Sequence, residues 1–250
     1  MPKIAVFDSG FGSLSIIRPI QKKIIAEIIY FADQKHYPYG TKTVRQLNRI
    51  IKTTISTLQK KFNPDAIVVA SNTPSLLLNL TGKKIILVVP PLKEASRITK
   101  TNVIGILATK SVVNSKALDK YIEKNLSKKI QVIKINATPL VDLVESGKFI
   151  TERKLSKSII KKNMTRHIAK DVDVVILSST HLPFLIPLLK ESFPHVKFLD
   201  PAYSIPDKIL KVLKDDTSKR NKFKIFTSGN VLTFQKRLLK IGIKNRVQQL

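Results

Sequence analysis

Residues 174–183 read VVILSSTHLP, an apolar run that ends in two serines, a threonine, a histidine and a proline. The same plan appears at residues 67–75, IVVASNTPS, where the run ends in Ser71, Asn72 and Thr73 with a proline close behind. A short aliphatic run without polar alternation reads as a strand covered on both faces of a parallel sheet. Proline suits the first turn of a helix, where its missing N–H has no partner to lose. Each stretch therefore reads as strand, polar tip and helix start. Thr73 is expected at the cap with Pro74 at the first helical position, and Thr180-His181-Leu182-Pro183 opens a helix in the same way. A plan used twice points to two like halves.

Outward from these stretches, strand-length apolar runs recur: KIAVFD (3–8), EIIYFAD (27–33), AIVVAS (66–71) and IILVVP (85–90). A second series follows at VIGILAT (103–109), IQVIKIN (130–136), VDVVILSS (172–179) and VKFLD (196–200), with KIFTSG (224–229) late in the chain. Amphipathic stretches at 43–62, 111–125, 152–170 and 230–241 read as helices. Strands alternating with helices predict an α/β chain of two similar doubly wound domains with mainly parallel sheets. Pro90 and Pro91 punctuate the sequence, which sets a first domain at 1–91 plus about 205–250 and a second at 92–204. Ligands of such sheets bind beyond the carboxyl ends of the strands. The tips Asp8-Ser9, Asp33, Ser71-Asn72-Thr73, Thr109, Thr138 and Ser179-Thr180-His181 are thus expected to converge on an interdomain cleft.

The chain has 250 residues and no cysteine, which excludes disulfides, thiolate metal sites and a thiol nucleophile. No apolar run reaches the length of a membrane span, and the start MPKIAVFDSG lacks a signal-peptide plan, so a cytoplasmic protein without membrane partners is expected. Lys and Arg total 45 against 17 acids, a net charge of +28. They are spread along the chain, with modest clusters at 153–166 and 213–224. Nucleic acid is a partner that this charge alone suggests; no aromatic-interleaved basic strand accompanies it.

Asp8-Ser9-Gly10-Phe11-Gly12 reads either as a helix cap or as a carboxylate at the cleft. GFGSLS has Ser15 where a dinucleotide fingerprint needs its third glycine, so no cofactor is expected. His36, His167 and His195 offer no ligand spacing to His181, so no metal is expected. A serine hydrolase is disfavoured, because no G-x-S-x-G elbow surrounds either serine and near-adjacent positions give poor serine–imidazole geometry.

Taken in order, IAVFDSGFGSLSI, IIYFADQKHYPYGTKT, VVASNTPS, ATPLVDLVESG, VILSSTHLP and FTSGN resemble glutamate racemase, within the Asp/Glu racemase superfamily, from about residue 3 to 235. The Pro38-Tyr39-Gly40-Thr41 block points to glutamate racemase rather than to aspartate racemase. The resemblance implies two α/β domains related by a pseudo-twofold, no cofactor, and glutamate held in the cleft between them; a homodimer is compatible with it. It further implies two cysteines that exchange the Cα proton from opposite faces, at the positions of Ser71 and Ser179. Asp8, Ser9, Pro38, Tyr39, Gly40, Asn72, Thr73 and Thr180 would hold the substrate, while Asp8, Glu145 and His181 would assist the acid–base pair.

The departure falls on the reacting atoms. A thiol has a pKa near 8.5 and an alcohol one far higher, on the order of that of water, so ionising serine costs roughly 8 to 10 kcal/mol more. Three readings follow. The chain is a glutamate racemase of strongly reduced activity, its serines native or introduced; or a silent protein that binds a small acidic amino acid; or a nucleic-acid-associated basic protein on a racemase fold.

Overall fold

A computed structural model describes residues 1–213 and 220–250; of the basic cluster at 213–224, residues 214–219 lie outside the described ones. The strands are β1 (Lys3–Asp8), β2 (Glu27–Ala32), β3 (Ala66–Val69), β4 (Ile85–Leu87), β5 (Val103–Ala108), β6 (Gln131–Asn136), β7 (Val174–Ser178), β8 (Lys197–Leu199), β9 (Lys222–Thr227) and β10 (Val247–Gln249). Helices up to the middle of the chain are α1 (Ile17–Lys23), α2 (Val44–Phe62), α3 (Asn72–Leu77), α4 (Leu92–Ile98), α5 (Lys110–Val113) and α6 (Lys116–Asn125). After them come α7 (Thr138–Glu145), α8 (Lys148–Thr151), α9 (Arg153–Ile168), α10 (Ile186–Ser192), α11 (Ile205–Leu210) and α12 (Val231–Lys240).

The chain divides into two compact units, one of Met1–Val88 with Ala202–Leu250 and one of Val89–Pro201. The sheet of the first unit has the order β10-β9-β2-β1-β3-β4, and that of the second β6-β5-β7-β8. All the strand pairs are parallel. Hence β2-β1-β3-β4 and β6-β5-β7-β8 are one topology built twice. Strands β1, β2, β3, β5 and β7 are apolar runs because helices cover both faces; β3 and β7 are buried along their whole length.

Long α2 shows how local sequence sets an element. Thr43 and Gln46 close a reciprocal capping box, and Asn63 ends the helix in the left-handed region at φ 44°. Leu47, Ile51, Thr54 and Leu58 fall on one stripe, and the three leucine and isoleucine side chains pack on Ala5, Phe7, Ile29 and Ile67 of the sheet. The helix expected at 111–125 is interrupted. The Ser115 hydroxyl accepts the Leu118 amide at 3.2 Å, ends α5 and starts α6.

Candidate functional site

Within each unit the chain passes from the first strand to one neighbour and then returns to the other side. The reversal lies between β1 and β3 in one sheet and between β5 and β7 in the other. Loops leaving such a switch point part company and open a crevice at the strands' carboxyl ends. In the first unit it is flanked by Asp8-Ser9 and Ser71-Asn72-Thr73, in the second by Thr109 and Ser179-Thr180-His181. The two serines occupy equivalent places in the two sheets. That is why the polar tips recur.

Most of these tip residues are buried: Asp8, Ser9, Asn72, Thr73, Ser179, Thr180 and His181 are each 6% exposed or less, and Ser71 is half-buried. Capping does not account for them. The first turn after β1 starts at Gly12 with Phe11 in the cap position, so neither Asp8 nor Ser9 caps it. The Asp8 carboxylate instead accepts the Ser9 amide at 2.7 Å. At the second tip Ser71, not Thr73, holds the cap position of α3, and its hydroxyl makes no cap bond. Pro74 sits inside the first turn, which tolerates it because those N–H groups lack helical partners anyway. At the third, His181 precedes a 3₁₀ turn, Leu182–Leu185, and its ring does not cap it.

The loop after β1 is anchored from β2. The Tyr30 hydroxyl donates to the Gly10 carbonyl at 2.6 Å, which uses its one proton, so Ser13 donates to Tyr30 at 2.9 Å. At the end of β2, Asp33 is 2% exposed and gathers several donors. It accepts from the Tyr39 hydroxyl at 3.0 Å, from Ser228 at 3.1 Å and from His36 Nδ1 at 2.8 Å. Its amide donates to the Asp8 carbonyl at 2.7 Å. Burial first, then the charges of Asp33 and Asp8, push the Tyr39 phenol well above its ordinary pKa. Tyr39 therefore stays protonated and keeps donating. The turn Tyr39–Thr41 follows a cis Tyr37–Pro38 peptide and packs against α3, while Pro38 is exposed and Gly40 half-buried. Sequence reasoning noted Asp33 as a strand tip but not as a site residue. The signal was available: an acid closing FAD, three residues before a histidine and six before a tyrosine.

In the second unit the structure brings together three residues named from the sequence. The Ser179 hydroxyl is 3.5 Å from His181 Nδ1, and His181 Nε2 is 2.6 Å from Glu145 Oε1 at the end of α7. The His181 and Glu145 side chains are 8% and 9% exposed. A carboxylate can only accept, so Nε2 carries the proton and, in the neutral ring, Nδ1 presents a lone pair to Ser179. The pair thus fixes the tautomer in which the imidazole is a base toward the serine. At 3.5 Å that contact is at the outer limit of a hydrogen bond, and transfer needs a closer approach. Among the described residues, no three His, Asp or Glu side chains cluster as metal ligands, and no helix is long and apolar enough to cross a membrane.

No family model matches the chain. Among curated proteins, a glutamate racemase of Bartonella quintana is 32% identical over 95% of this chain and 93% of its own length. One of Buchnera aphidicola is 33% identical, over 86% of this chain and 87% of its own. Among solved structures, a glutamate racemase isoform from Bacillus anthracis superposes with a TM-score of 0.85 at 24% identity, covering 100% of this chain and 97% of that one. The Escherichia coli glutamate racemase, solved with L-glutamate and the activator UDP-MurNAc-Ala, gives 0.84 at 22% identity, covering 100% and 98%. Likeness at these identities speaks for the fold.

Proposed function

The chain belongs to the glutamate racemase family, and from that premise we propose that its two sets of strand tips act on one molecule of glutamate or a similar small acidic amino acid. The observation that carries this reading is the placement of Ser71 and Ser179 at matching switch points of two like sheets. Asp8, Ser9, Tyr39, Asn72, Thr73 and Thr180, with Pro38 and Gly40 shaping the turn, are assigned to the substrate's carboxylates and ammonium. The E. coli relative was solved with L-glutamate, and one from Francisella tularensis with D-glutamate, in keeping with such a ligand.

Racemisation takes the Cα proton to a base on one face and returns a proton from an acid on the other. A serine serves as the base only if its own proton first leaves. His181 Nδ1, held in the accepting tautomer by Glu145, is the group placed to take it from Ser179. Asp8 is assigned the corresponding task beside Ser71. Because an alkoxide is costly to form, turnover is strongly reduced relative to a pair of thiols. No cofactor takes part. A cytoplasmic location and D-glutamate as product for a peptidoglycan wall complete the reading.

A second reading is a protein that binds the amino acid without turning it over. It is favoured by the 2.6 Å His181–Glu145 bond, which keeps the acid–base support in place around an alcohol. Two measurements separate them. Deuterium entry at Cα of L- and D-glutamate in D₂O reports turnover, and calorimetry with each enantiomer reports binding. Binding with exchange above the buffer rate supports the racemase, binding without it the silent protein, and neither removes both.

A further inference from the structure

We propose that the groove between α7 and α9, in the second unit, binds a small organic phosphate: an apolar body with a dianionic head. The groove encloses about 730 Å³, in the range of small-molecule sites of roughly 300–1,000 Å³. One wall is apolar, formed by Leu143 of α7 and Leu155 and Ile159 of α9, and Leu155 is left 41% exposed. Lys148, Lys162 and Arg166 also line it, against a single acid, Asp142. Three cations and one anion leave two positive charges, which a phosphate dianion matches and a monocarboxylate does not.

The two sides of α9 differ in how their cations are held. Arg153 and Lys157 both reach Glu191 of α10. On the groove side, among the described residues, neither Lys148 nor Lys162 has an acid within ion-pair distance, and Arg166 Nε donates to His167 Nε2 at 3.2 Å. Burial, with Arg166 and Lys170 nearby, lowers the His167 pKa, so its ring adds no charge near neutral pH. Like charges facing one space repel, and a bound anion relieves that repulsion. The groove also holds an acceptor in want of a donor. Asn163 donates through Nδ2 to the Asn136 carbonyl at 2.9 Å, while its Oδ1 is buried without a hydrogen-bond partner. A hydroxyl or N–H on the ligand's body satisfies it.

The groove reaches the end of β6 at Asn136, but none of its lining residues is among those assigned to the amino acid. Pro139, Leu143 and Ser146 share one face of α7 by their spacing of four and three, and Glu145 leaves the helix on another side. The predicted ligand is thus not the amino acid assigned to Ser71 and Ser179.

The test is calorimetry of the full chain with 1-naphthyl phosphate, with inorganic phosphate and 1-naphthol as its two halves. The ester is expected to bind one saturable site at least tenfold more tightly than either half. Lys162→Glu with Arg166→Glu is expected to weaken it at least tenfold, Lys148→Glu and Leu155→Asp at least threefold each. All four positions are at the surface or partly exposed, so the variants keep the fold; circular dichroism checks it. The control pair Lys124→Glu with Lys128→Glu, exposed on and after α6, makes the same change in net charge. Equal weakening by the control pair would reduce the effect to the overall +28 charge and overturn the proposal. So would inorganic phosphate binding as tightly as the ester, or no binding of the ester at all.

Discussion

Replacing both tip hydroxyls by thiols, Ser71→Cys with Ser179→Cys, is expected to raise Cα proton exchange of glutamate by about a thousandfold. The alcohol-to-thiol difference of about 7 pKa units corresponds to roughly 9–10 kcal/mol of ionisation cost. About half returns because the alkoxide is the stronger base, on a Brønsted slope near ~0.5. Some 4–5 kcal/mol remains, which is roughly three powers of ten in rate. The site accepts the change. Ser179 is 6% exposed with its hydroxyl 3.5 Å from His181 Nδ1, and the longer C–S bond carries sulfur toward the lone pair that Glu145 holds in place. A swap this close in volume costs under about 1.5 kcal/mol of stability. Proton NMR in D₂O follows loss of the Cα signal from each enantiomer. Each single variant, with one thiol, is expected to speed exchange of one enantiomer far more than the other, since each tip serves one face. A double variant that folds and binds glutamate, yet exchanges it no faster than the parent, refutes the assignment of both serines.

Glu145→Gln in that double variant is expected to lower exchange about a hundredfold, chiefly for the enantiomer served by residue 179, with glutamate affinity changed less than threefold; the same NMR assay with calorimetry checks it. Asp173 accepts the Thr99 hydroxyl at 2.6 Å, the Lys100 amide at 2.6 Å and the Thr101 hydroxyl at 3.1 Å, so Asp173→Asn is expected to cost about 1 kcal/mol in urea unfolding near pH 7. Burial opposes ionisation there, but the hydrogen bonds from Thr99, Lys100 and Thr101 outweigh it and hold the carboxyl below its ordinary range. A depressed carboxyl stabilises above its unfolded pKa of about 3.9 and stops doing so as pH falls through the folded value, so the gap to the variant closes below about pH 4. Gly229→Ala places a Cβ 2.6 Å from Gln34 Oε1 and 2.8 Å from Gln34 Cβ, and is expected to lower stability by about 1–3 kcal/mol in the same unfolding assay.

Much of this architecture is written in the strands. Every quoted apolar run overlaps an observed strand, and the signal is clearest in β3 and β7, where a strand covered on both faces has few polar positions to blur it. β10 escaped, since Val247-Gln248-Gln249 offers one apolar side chain and pairs only at the sheet's edge. Caps were harder. Thr73 and Ser71 are both good cap residues, and which of them starts α3 depends on how far β3 runs before it turns. The pairing of His181 with Glu145 needed the resemblance, because the two lie 36 residues apart and no local spacing joins them. Asp33 was visible as a tip, but its importance comes from donors at residues 36, 39 and 228, which only the folded sheet assembles.

The first unit is assembled from two separated segments, and that shapes its birth. β9 aligns with β2 from Glu27↔Lys222 to Ala32↔Thr227, so the segment EIIYFA leaves the ribosome long before its partner exists. At ~5–20 residues per second the wait is on the order of 10–40 s. Val89–Pro201, contiguous, completes itself meanwhile. For that interval the nascent chain carries an open, sticky border that invites other nascent strands. Late strands β9 and β10 are its closure, and losses there are expected to show first as inclusion bodies rather than as a lowered melting temperature.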